Sequence, residues 1–256
     1  MWTPTIWLFT VTATALGPAP EAAPAPRAPA VAQAPAKEAP AKEAPALDPA
    51  LQKTVDELQR TYEGTKDFEA KFTQRFTYTL LRRTQESRGT VRFKKPGLMR
   101  WDYLEPSKKA FIVDGKSLWI YQSEDKTAMV NRCFKQDGLT ASVSFLWGAG
   151  KISEQFHVAH FDGVFGAPTD IHLELTPRQA NNVFAKLILV VDPASHRVKQ
   201  SIVVDVQGNV NQFIYEDAVF NKGAKDGAFA FAPPKGTHVS KMPGSCEAGD
   251  ATAKGG

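Results

Sequence analysis

An alternation of apolar and charged residues over positions 89–121 constrains the fold of this chain more than any other feature. Successive side chains of a β-strand point to opposite faces, so the alternation predicts strands with one apolar and one solvated face. Asp114-Gly115 predicts a hairpin turn, because glycine and Asx residues accept the positive φ that tight hairpin turns require. The apolar row comprises Val91, Phe93, Met99, Trp101, Tyr103, Trp119 and Tyr121.

Lys95 breaks this alternation. It has the parity of Phe93, so it points to the apolar side of the sheet if the register continues through Pro96. An ammonium group there requires hydrogen-bond acceptors, and the unsatisfied backbone carbonyls at the end of a helix are the expected ones. The alternative is that Pro96 shifts the register and that Lys95 lies in solvent.

Two segments predict helices that cover an apolar surface. Residues 48–64 begin with Asp48 as the N-cap and Pro49 in the first turn. An apolar stripe at helical spacing follows and comprises Leu51, Val55, Leu58 and Tyr62. The second segment, residues 139–152, is strongly apolar and includes Val143, Phe145, Leu146 and Trp147.

Strand patterns account for most of the remaining sequence. Residues 67–80 alternate almost strictly, with aromatic and aliphatic side chains at even positions. Residues 187–191 are continuously apolar, which indicates a strand covered on both faces. With about 10–11 antiparallel strands, the predicted fold is mainly β, an incomplete barrel whose apolar face is covered by short helices. Further strands are expected at 127–133, 155–161, 171–176, 184–192, 197–206, 210–220 and 228–232.

Composition predicts four regions along the 256 residues. Residues 1–20 contain an apolar run typical of a signal peptide, although no lysine or arginine precedes it, and cleavage is expected between Gly17 and Ala23. No cysteine follows this run, so no lipid-attachment site is expected there. Residues 21–47 are an Ala/Pro-rich linker that cannot bury a core, residues 48–240 are the folded domain, and residues 241–256 are a flexible tail.

Charge and cysteine content restrict the function further. The net charge of +4 resides in the folded part, because acidic and basic residues balance over the first 47 positions. This positive net charge favours binding to an anionic membrane surface or to acidic partners, but it is too small to indicate a nucleic-acid-binding protein. The two cysteines, Cys133 and Cys246, are expected to pair in an oxidising compartment, the alternative being two unrelated thiols.

Several catalytic interpretations fail on geometry. Asp192, Ser195 and His196 lie in one turn, where they cannot form a hydrolase triad. His157 and His160 are three apart on a predicted strand and therefore face opposite sides, which argues against a metal site. The surplus of aromatic residues on one face of the predicted strands is the feature left to explain.

The runs KKPGLMRWDY and VDGKSLWIY, with DFEAKFTQ upstream and FAFAPPKGTHV downstream, resemble the LolA family of periplasmic outer-membrane lipoprotein carriers. The resemblance extends from Leu47 to Val239. It implies an open barrel with an apolar cavity, lipidated lipoproteins as cargo, a periplasmic location, a monomeric state, and neither cofactor nor enzymatic activity. It also implies an inner-membrane ABC-type transporter that loads the carrier and an outer-membrane receptor that unloads it.

The resemblance assigns roles to particular residues. The acyl chains are expected to bind Phe72, Phe93, Met99, Trp101, Trp119, Val143, Phe145, Leu146 and Trp147. Lys95 stands where the family typically has an arginine before the proline, and it is expected to act as a latch on the lid. A receptor or a periplasmic sensor domain of the same fold is the alternative function, and an esterase acting on lipid is a third.

Overall fold

The computed structural model describes residues 48–134, 151–163, 165–179 and 184–246. Within these residues the helices are α1 (Pro49–Glu63) and α2 (Ile152–Gln155), together with a 3₁₀ helix at Asp226–Phe229. The strands are β1 (Asp67–Tyr78), β2 (Arg83–Lys94), β3 (Leu98–Glu105), β4 (Lys109–Asp114), β5 (Leu118–Gln122), β6 (Thr127–Asn131), β7 (Phe156–His160), β8 (Ile171–Pro177), β9 (Lys186–Val191), β10 (Val198–Val204), β11 (Val210–Phe220) and β12 (His238–Lys241).

The strands form a single sheet in the order β12-β6-β5-β4-β3-β2-β1-β11-β10-β9-β8-β7. Neighbours are antiparallel except for β12, which runs parallel to β6. The sheet curls but does not close, and a register irregularity between Glu69 and Lys71 contributes local bending to β1. The mainly-β open architecture is confirmed, with twelve strands in the described residues rather than the expected 10–11.

Helix α1 forms where the sequence predicts it. Asp48 occupies the N-cap position and Pro49 begins the helix, although the Asp48 side chain makes no capping hydrogen bond. Gly64 ends the helix by donating its N–H to the carbonyl of Arg60. The four apolar positions of the predicted stripe are all buried, so the helix is held by packing of one face.

The two faces of the sheet have different neighbours. We call the face that carries Phe72, Trp101 and Phe213 the inner face, and the face that carries Ile112 and Ile188 the outer face. On β1 to β3 the predicted alternation is confirmed, because the residues of the apolar row are buried. These are Val91, Phe93, Met99, Trp101 and Tyr103.

Trp119 lies on the outer face, so its assignment to the same surface as Trp101 is wrong. The turn between β4 and β5 contains residues 115–117, and Val113 pairs with Leu118 across it. Leu118 therefore continues the inner row, whereas Trp119 pairs with Ile112 and packs against Phe231 at a ring distance of 5.4 Å. The turn itself forms as predicted, since Gly115 has a φ of +91° and the Asp114 carboxylate accepts two backbone N–H groups beyond it.

The segment after β11 also differs from expectation. Residues 228–232 were expected to form a strand, but Asp226–Phe229 form a 3₁₀ helix on the outer face. Phe229 is fully buried there, and carbonyls of Ala228 and Ala230 accept hydrogen bonds from Arg100 at 3.3 and 3.5 Å. These carbonyls are therefore used by a side chain rather than by a strand ladder.

Lys241, the first residue of the expected tail, belongs to the sheet. β12 adds to the edge of β6, and Met242 beyond it is buried. Cys133 and Cys246 form a disulfide, with Cα atoms 5.5 Å apart and a sequence separation of 113. The bond fixes the residues after β12 to the residues after β6.

Strand β9 is covered on both faces, as its continuous apolar run indicates. Leu187 and Leu189 pack on the inner side beside Leu175 and Leu173 of β8. Ile188 and Val190 face the other way and pack with Ile202, where Phe161 and Phe165 partly cover them. All of the residues from Leu187 to Val191 are buried.

Candidate functional site

The inner face is organised around Trp101. Its ring lies 5.0 Å from Phe72, 5.0 Å from Phe213 and 6.0 Å from Phe93, measured between ring centroids. Trp101 is 2% exposed, and Met99 on the same strand is fully buried. Four of the predicted acyl-binding residues, namely Phe72, Phe93, Met99 and Trp101, therefore share one continuous apolar surface.

Gly89 creates the space that the Phe72 ring occupies. It pairs with Phe72 across β1 and β2, and a Cβ at this position would lie 2.0 Å from the carbonyl oxygen of Asp102 and 2.9 Å from the Phe72 ring. The register between β2 and β3 also shifts beside Gly89. Only a residue without a side chain allows the strands and the aromatic ring to approach this closely.

Two further aromatic residues on β11 belong to the same surface. Phe213 contacts Trp101 and Phe72, and Tyr215 lies 6.5 Å from Trp101 between ring centroids. Phe213 and Tyr215 are absent from the predicted site. Their positions two apart in the predicted strand 210–220 place them on one face and could have indicated their role. The Tyr215 hydroxyl shares a hydrogen bond of 3.0 Å with Ser201.

Burial affects three polar side chains of this surface, Tyr103, Tyr215 and Lys109. Burial raises the pKa of Tyr215 to about 12 and the pKa of Tyr103 well above its ordinary value. Lys109 lies with its Nζ 4.5 Å from the centre of the Tyr103 ring, and burial lowers the pKa of this lysine. The surface therefore discourages new negative charge and suits apolar occupants.

Lys95 contacts the end of α1. Its Nζ donates hydrogen bonds to the carbonyl oxygens of Tyr62 at 2.6 Å and Glu63 at 3.1 Å, which belong to the last turn of the helix. These are acceptors of the kind that the sequence analysis expected. Burial lowers the pKa of the Lys95 ammonium, and the nearby Glu63 carboxylate partly opposes that shift.

Other contacts fix α1 against the sheet and the second helical segment. The Tyr62 hydroxyl accepts the backbone N–H of Val198 on β10 at 3.2 Å. The Gln59 side chain accepts the N–H of Ile152, the first residue of α2, at 3.1 Å. Four residues of the expected lid lie outside the described residues, namely Val143, Phe145, Leu146 and Trp147. The parts of the expected lid whose contacts the structure gives are therefore α1 and Ile152.

A polar groove of about 410 Å³ lies on the outer face, across β2, β1 and β11. Arg75 and Arg88 both pair with Glu86 in it, at 3.1 and 2.7 Å. Its charged lining makes it a poor environment for hydrocarbon, in contrast to the inner face. The lining residues are Thr73, Arg75, Glu86, Arg88, Ile214 and Glu216.

Two kinds of feature are absent from the residues that the structure describes. Their His, Cys, Asp and Glu side chains form no group of three or more that would hold a metal ion. None of their helices combines the length and the apolar character needed to cross a membrane.

The sequence model for the outer membrane lipoprotein carrier protein LolA matches residues 63–232. The chain belongs to the LolA family. The matched range begins at the last residue of α1 and includes β1 to β11, so it contains the whole described inner face. Members of this family are carriers rather than enzymes.

Relatives from several bacteria align over most of their length. An outer-membrane lipoprotein carrier protein of Chromobacterium violaceum is 28% identical over 197 residues, covering 75% of this chain and 89% of the relative. A protein of the same description from Cupriavidus pinatubonensis is 28% identical over 198 residues, covering 75% and 90%.

Solved structures with a similar fold are more distant in sequence. A LolA superfamily protein from Nitrosomonas europaea has a TM-score of 0.39 at 15% identity and covers 71% of this chain and 97% of its own. The Mycobacterium tuberculosis lipoprotein LppX has a TM-score of 0.44 at 10% identity, covering 70% and 99%.

Proposed function

We propose that this protein carries lipoproteins through the periplasm by binding their acyl chains against the inner face. The observation that supports this most directly is the continuous apolar surface around Trp101, to which β1, β2, β3 and β11 each contribute an aromatic residue. The residues proposed to contact the acyl chains are Phe72, Phe93, Met99 and Trp101, together with Val143, Phe145, Leu146 and Trp147. Trp119 is removed from this set because it faces the other way.

The energetic reason for such a carrier is the cost of exposing hydrocarbon to water. Each methylene group of an acyl chain in water costs about 0.8 kcal/mol, so a free lipoprotein does not cross an aqueous compartment unshielded. Transfer from a membrane to an apolar protein surface gains little, since both environments are apolar. Direction must come from partners, which we propose to be an inner-membrane ABC-type transporter and an outer-membrane receptor.

In this proposal α1 is part of a lid and Lys95 is its latch. The two hydrogen bonds from Lys95 to the last carbonyls of α1 support a closed arrangement in the absence of cargo. Export by a signal peptide in residues 1–20, followed by the linker of residues 21–47, would deliver the carrier to the periplasm.

The test compares two tryptophan substitutions on opposite faces of the sheet. Trp101→Ala is expected to abolish release of lipoproteins from spheroplasts by the purified protein and to weaken binding of an apolar fluorescent probe. Trp119→Ala removes the same side chain from the outer face and is the matched control, expected to retain both activities. Circular dichroism of both variants establishes that they fold.

Three outcomes contradict the proposal. Probe binding by Trp101→Ala at the parental level would remove the inner face from the site. Lipid uptake without any release of lipoproteins from spheroplasts would favour a receptor or sensor domain of the same fold. Repeated turnover of an acyl ester would indicate an enzyme.

A further inference from the structure

The turn between β1 and β2 exposes two adjacent leucines. Leu80 is 93% exposed and Leu81 is 70% exposed, more than any other large hydrophobic residue in the described part of the chain. β2 pairs with β3 only from Arg88 onward, although its pairing with β1 begins at Arg83. This end of the hairpin therefore extends beyond the neighbouring strand, and its turn is accessible on that side.

A second turn lies beside the first. Thr79 donates its hydroxyl to the carbonyl of Gly208 at 2.6 Å and its backbone N–H to the Asn209 side chain at 3.2 Å. Gly208 and Asn209 belong to the turn between β10 and β11, where Val206 is 49% exposed. We call Leu80, Leu81 and Val206 together the hairpin tip.

Positive charge adjoins the hairpin tip. Arg82 and Arg83 follow the leucines directly, both are exposed, and neither forms an ion pair with a described residue. The carboxylates nearby are already engaged: Glu86 pairs with Arg75 and Arg88, and Asp205 accepts three hydrogen bonds within its own turn. The tip thus combines aliphatic side chains with two unneutralised guanidinium groups.

We infer that the hairpin tip inserts into the surface of an anionic lipid bilayer. Aliphatic side chains enter the boundary between headgroups and acyl chains, while the adjacent arginines remain at the level of the anionic headgroups. The tip would contact a membrane whatever the inner face binds, so this contact is independent of the proposed function.

A lipid surface fits the hairpin tip better than a protein partner does. A stable protein–protein interface buries roughly 800 Å² on each side and requires complementary shape, which three aliphatic side chains on a projecting turn do not provide. A bilayer surface deforms around a narrow convex tip and requires no matching pocket. The arginines supply charge complementarity to an anionic bilayer, without which two exposed leucines bind weakly.

Vesicle flotation tests the inference with the purified mature chain. The parent protein is expected to float with vesicles that contain phosphatidylglycerol and to bind pure phosphatidylcholine vesicles less. The double variant Leu80→Ser, Leu81→Ser is expected to weaken binding to the anionic vesicles by about tenfold or more, because the apolar contact is lost. Arg82→Gln with Arg83→Gln is expected to weaken it similarly and to remove the preference for anionic lipid.

Matched controls change residues of the same kind elsewhere. Val219→Ser with Val239→Ser removes exposed aliphatic side chains outside the tip, and Lys222→Gln with Lys235→Gln removes two exposed cations. Both controls should bind anionic vesicles like the parent. The leucine variant should release lipoproteins from spheroplasts like the parent, because the inner face is unchanged, and this separates membrane contact by the tip from the proposed function.

The inference is overturned if the parent fails to bind anionic vesicles or if the leucine and arginine variants bind them as the parent does. It is also overturned if sedimentation shows that the parent forms a dimer which the leucine variant cannot form, because a second copy would then be the partner of the tip. Loss of vesicle binding in both tip variants, with both controls unaffected and all variants folded, supports it.

Discussion

Lys95 places a charge on the side of the strand that otherwise holds Phe93 and Met99. Its ammonium group reaches two carbonyls at the end of α1, so the helix end and the β2–β3 turn are joined by a contact that one side chain controls. An arginine at this position would offer a planar fork of donors, whereas lysine offers a compact charge with rotatable donors. The contact is therefore expected to be easier to break than its arginine counterpart.

Lys95→Leu is expected to leave the fold intact and to impair delivery of cargo. Lys95 is only partly buried and its side chain contacts backbone carbonyls rather than a charged group, so its removal should change stability by no more than about 1 kcal/mol. The variant should accept lipoproteins but transfer them poorly to the receptor, since the closed, unloaded state is no longer favoured. Transfer is measured from loaded carrier to receptor in solution.

The control for this substitution is Lys66→Leu, which removes a charge from an exposed lysine beside the end of the same helix. It should transfer cargo like the parent. Parental transfer by Lys95→Leu would show that its hydrogen bonds to α1 are structural only.

Gly89→Ala is expected to destabilise the protein by about 1–3 kcal/mol, as overpacking of a core does. The added methyl group meets the Asp102 carbonyl oxygen, which belongs to a paired strand and cannot move alone, and the ring of Phe72. Gly227→Ala is the matched control, because a Cβ there meets no atom within 4 Å. Chemical denaturation of both variants measures the difference, and equal stability of the two would contradict the tight approach of the strands at Gly89.

Among the secondary-structure elements, β12 lies close to a covalent link. The disulfide joins cysteines with a sequence separation of 113, and a loop of this length is stabilised by roughly 4–5 kcal/mol in the chain-entropy model. Replacing both Cys133 and Cys246 by serine is expected to lower the free energy of unfolding and to speed hydrogen exchange in β12 more than in β1. Exchange followed by mass spectrometry separates the two strands.

Thiol labelling provides the independent check on this bond. The native protein, purified without reductant, should have no reactive thiol. Two labelled cysteines would contradict the disulfide, and unchanged exchange in β12 of the serine variant would show that strand pairing alone holds this element.

The elements that sequence predicted well are those whose pattern is local. The stripe of α1 and the alternation of β1 to β3 each arise within a single element, and the structure has both. Trp119 was assigned to the wrong face because the turn between β4 and β5 decides which face of the sheet each residue of β5 occupies. The sequence of β5 alone does not determine its pairing register. A one-residue change in register reverses every side chain beyond the turn.

Tertiary context explains the remaining differences. Residues 228–232 have a strand-like alternation, but Arg100 contacts the carbonyls of Ala228 and Ala230, and Phe229 is buried in a 3₁₀ helix. β12 has four exposed residues and little intrinsic signal, and it forms because β6 offers an unpaired edge and Cys246 is tied nearby. The contact with Arg100 cannot be recognised from the sequence of residues 228–232, and the pairing with β6 cannot be recognised from the sequence of β12.

Across the protein, three buried tyrosines are expected to make the free energy of unfolding depend on pH in the alkaline range. Of the five tyrosines, Tyr62, Tyr103 and Tyr215 have raised pKa values, chiefly because burial disfavours the charged phenolate. In the unfolded chain a tyrosine ionises near pH 10. The stabilisation from keeping these phenols neutral is therefore complete below about pH 10 and decreases as the pH rises towards 12.

Spectrophotometric titration of tyrosinate checks this expectation. The native protein should show incomplete ionisation near pH 10, with the remaining tyrosines ionising as the protein unfolds at higher pH. Tyr103→Phe removes one of these groups and should make stability less dependent on alkaline pH. Ionisation of all five tyrosines near pH 10 while circular dichroism still reports the native fold would contradict the burial of these phenols.

A sheet that curls without closing retains two edge strands, and among the described strands they are β12 and β7. Edge strands present unpaired N–H and C=O groups that recruit strands from other chains, and short length with charged or polar side chains limits this hazard. β12 is four residues long and ends in Lys241, whereas β6 behind it carries the buried Ala128 and Val130. A chain without β12 would expose the edge of β6 to strands of other molecules. The short strand β12 is therefore expected to reduce aggregation at high protein concentration.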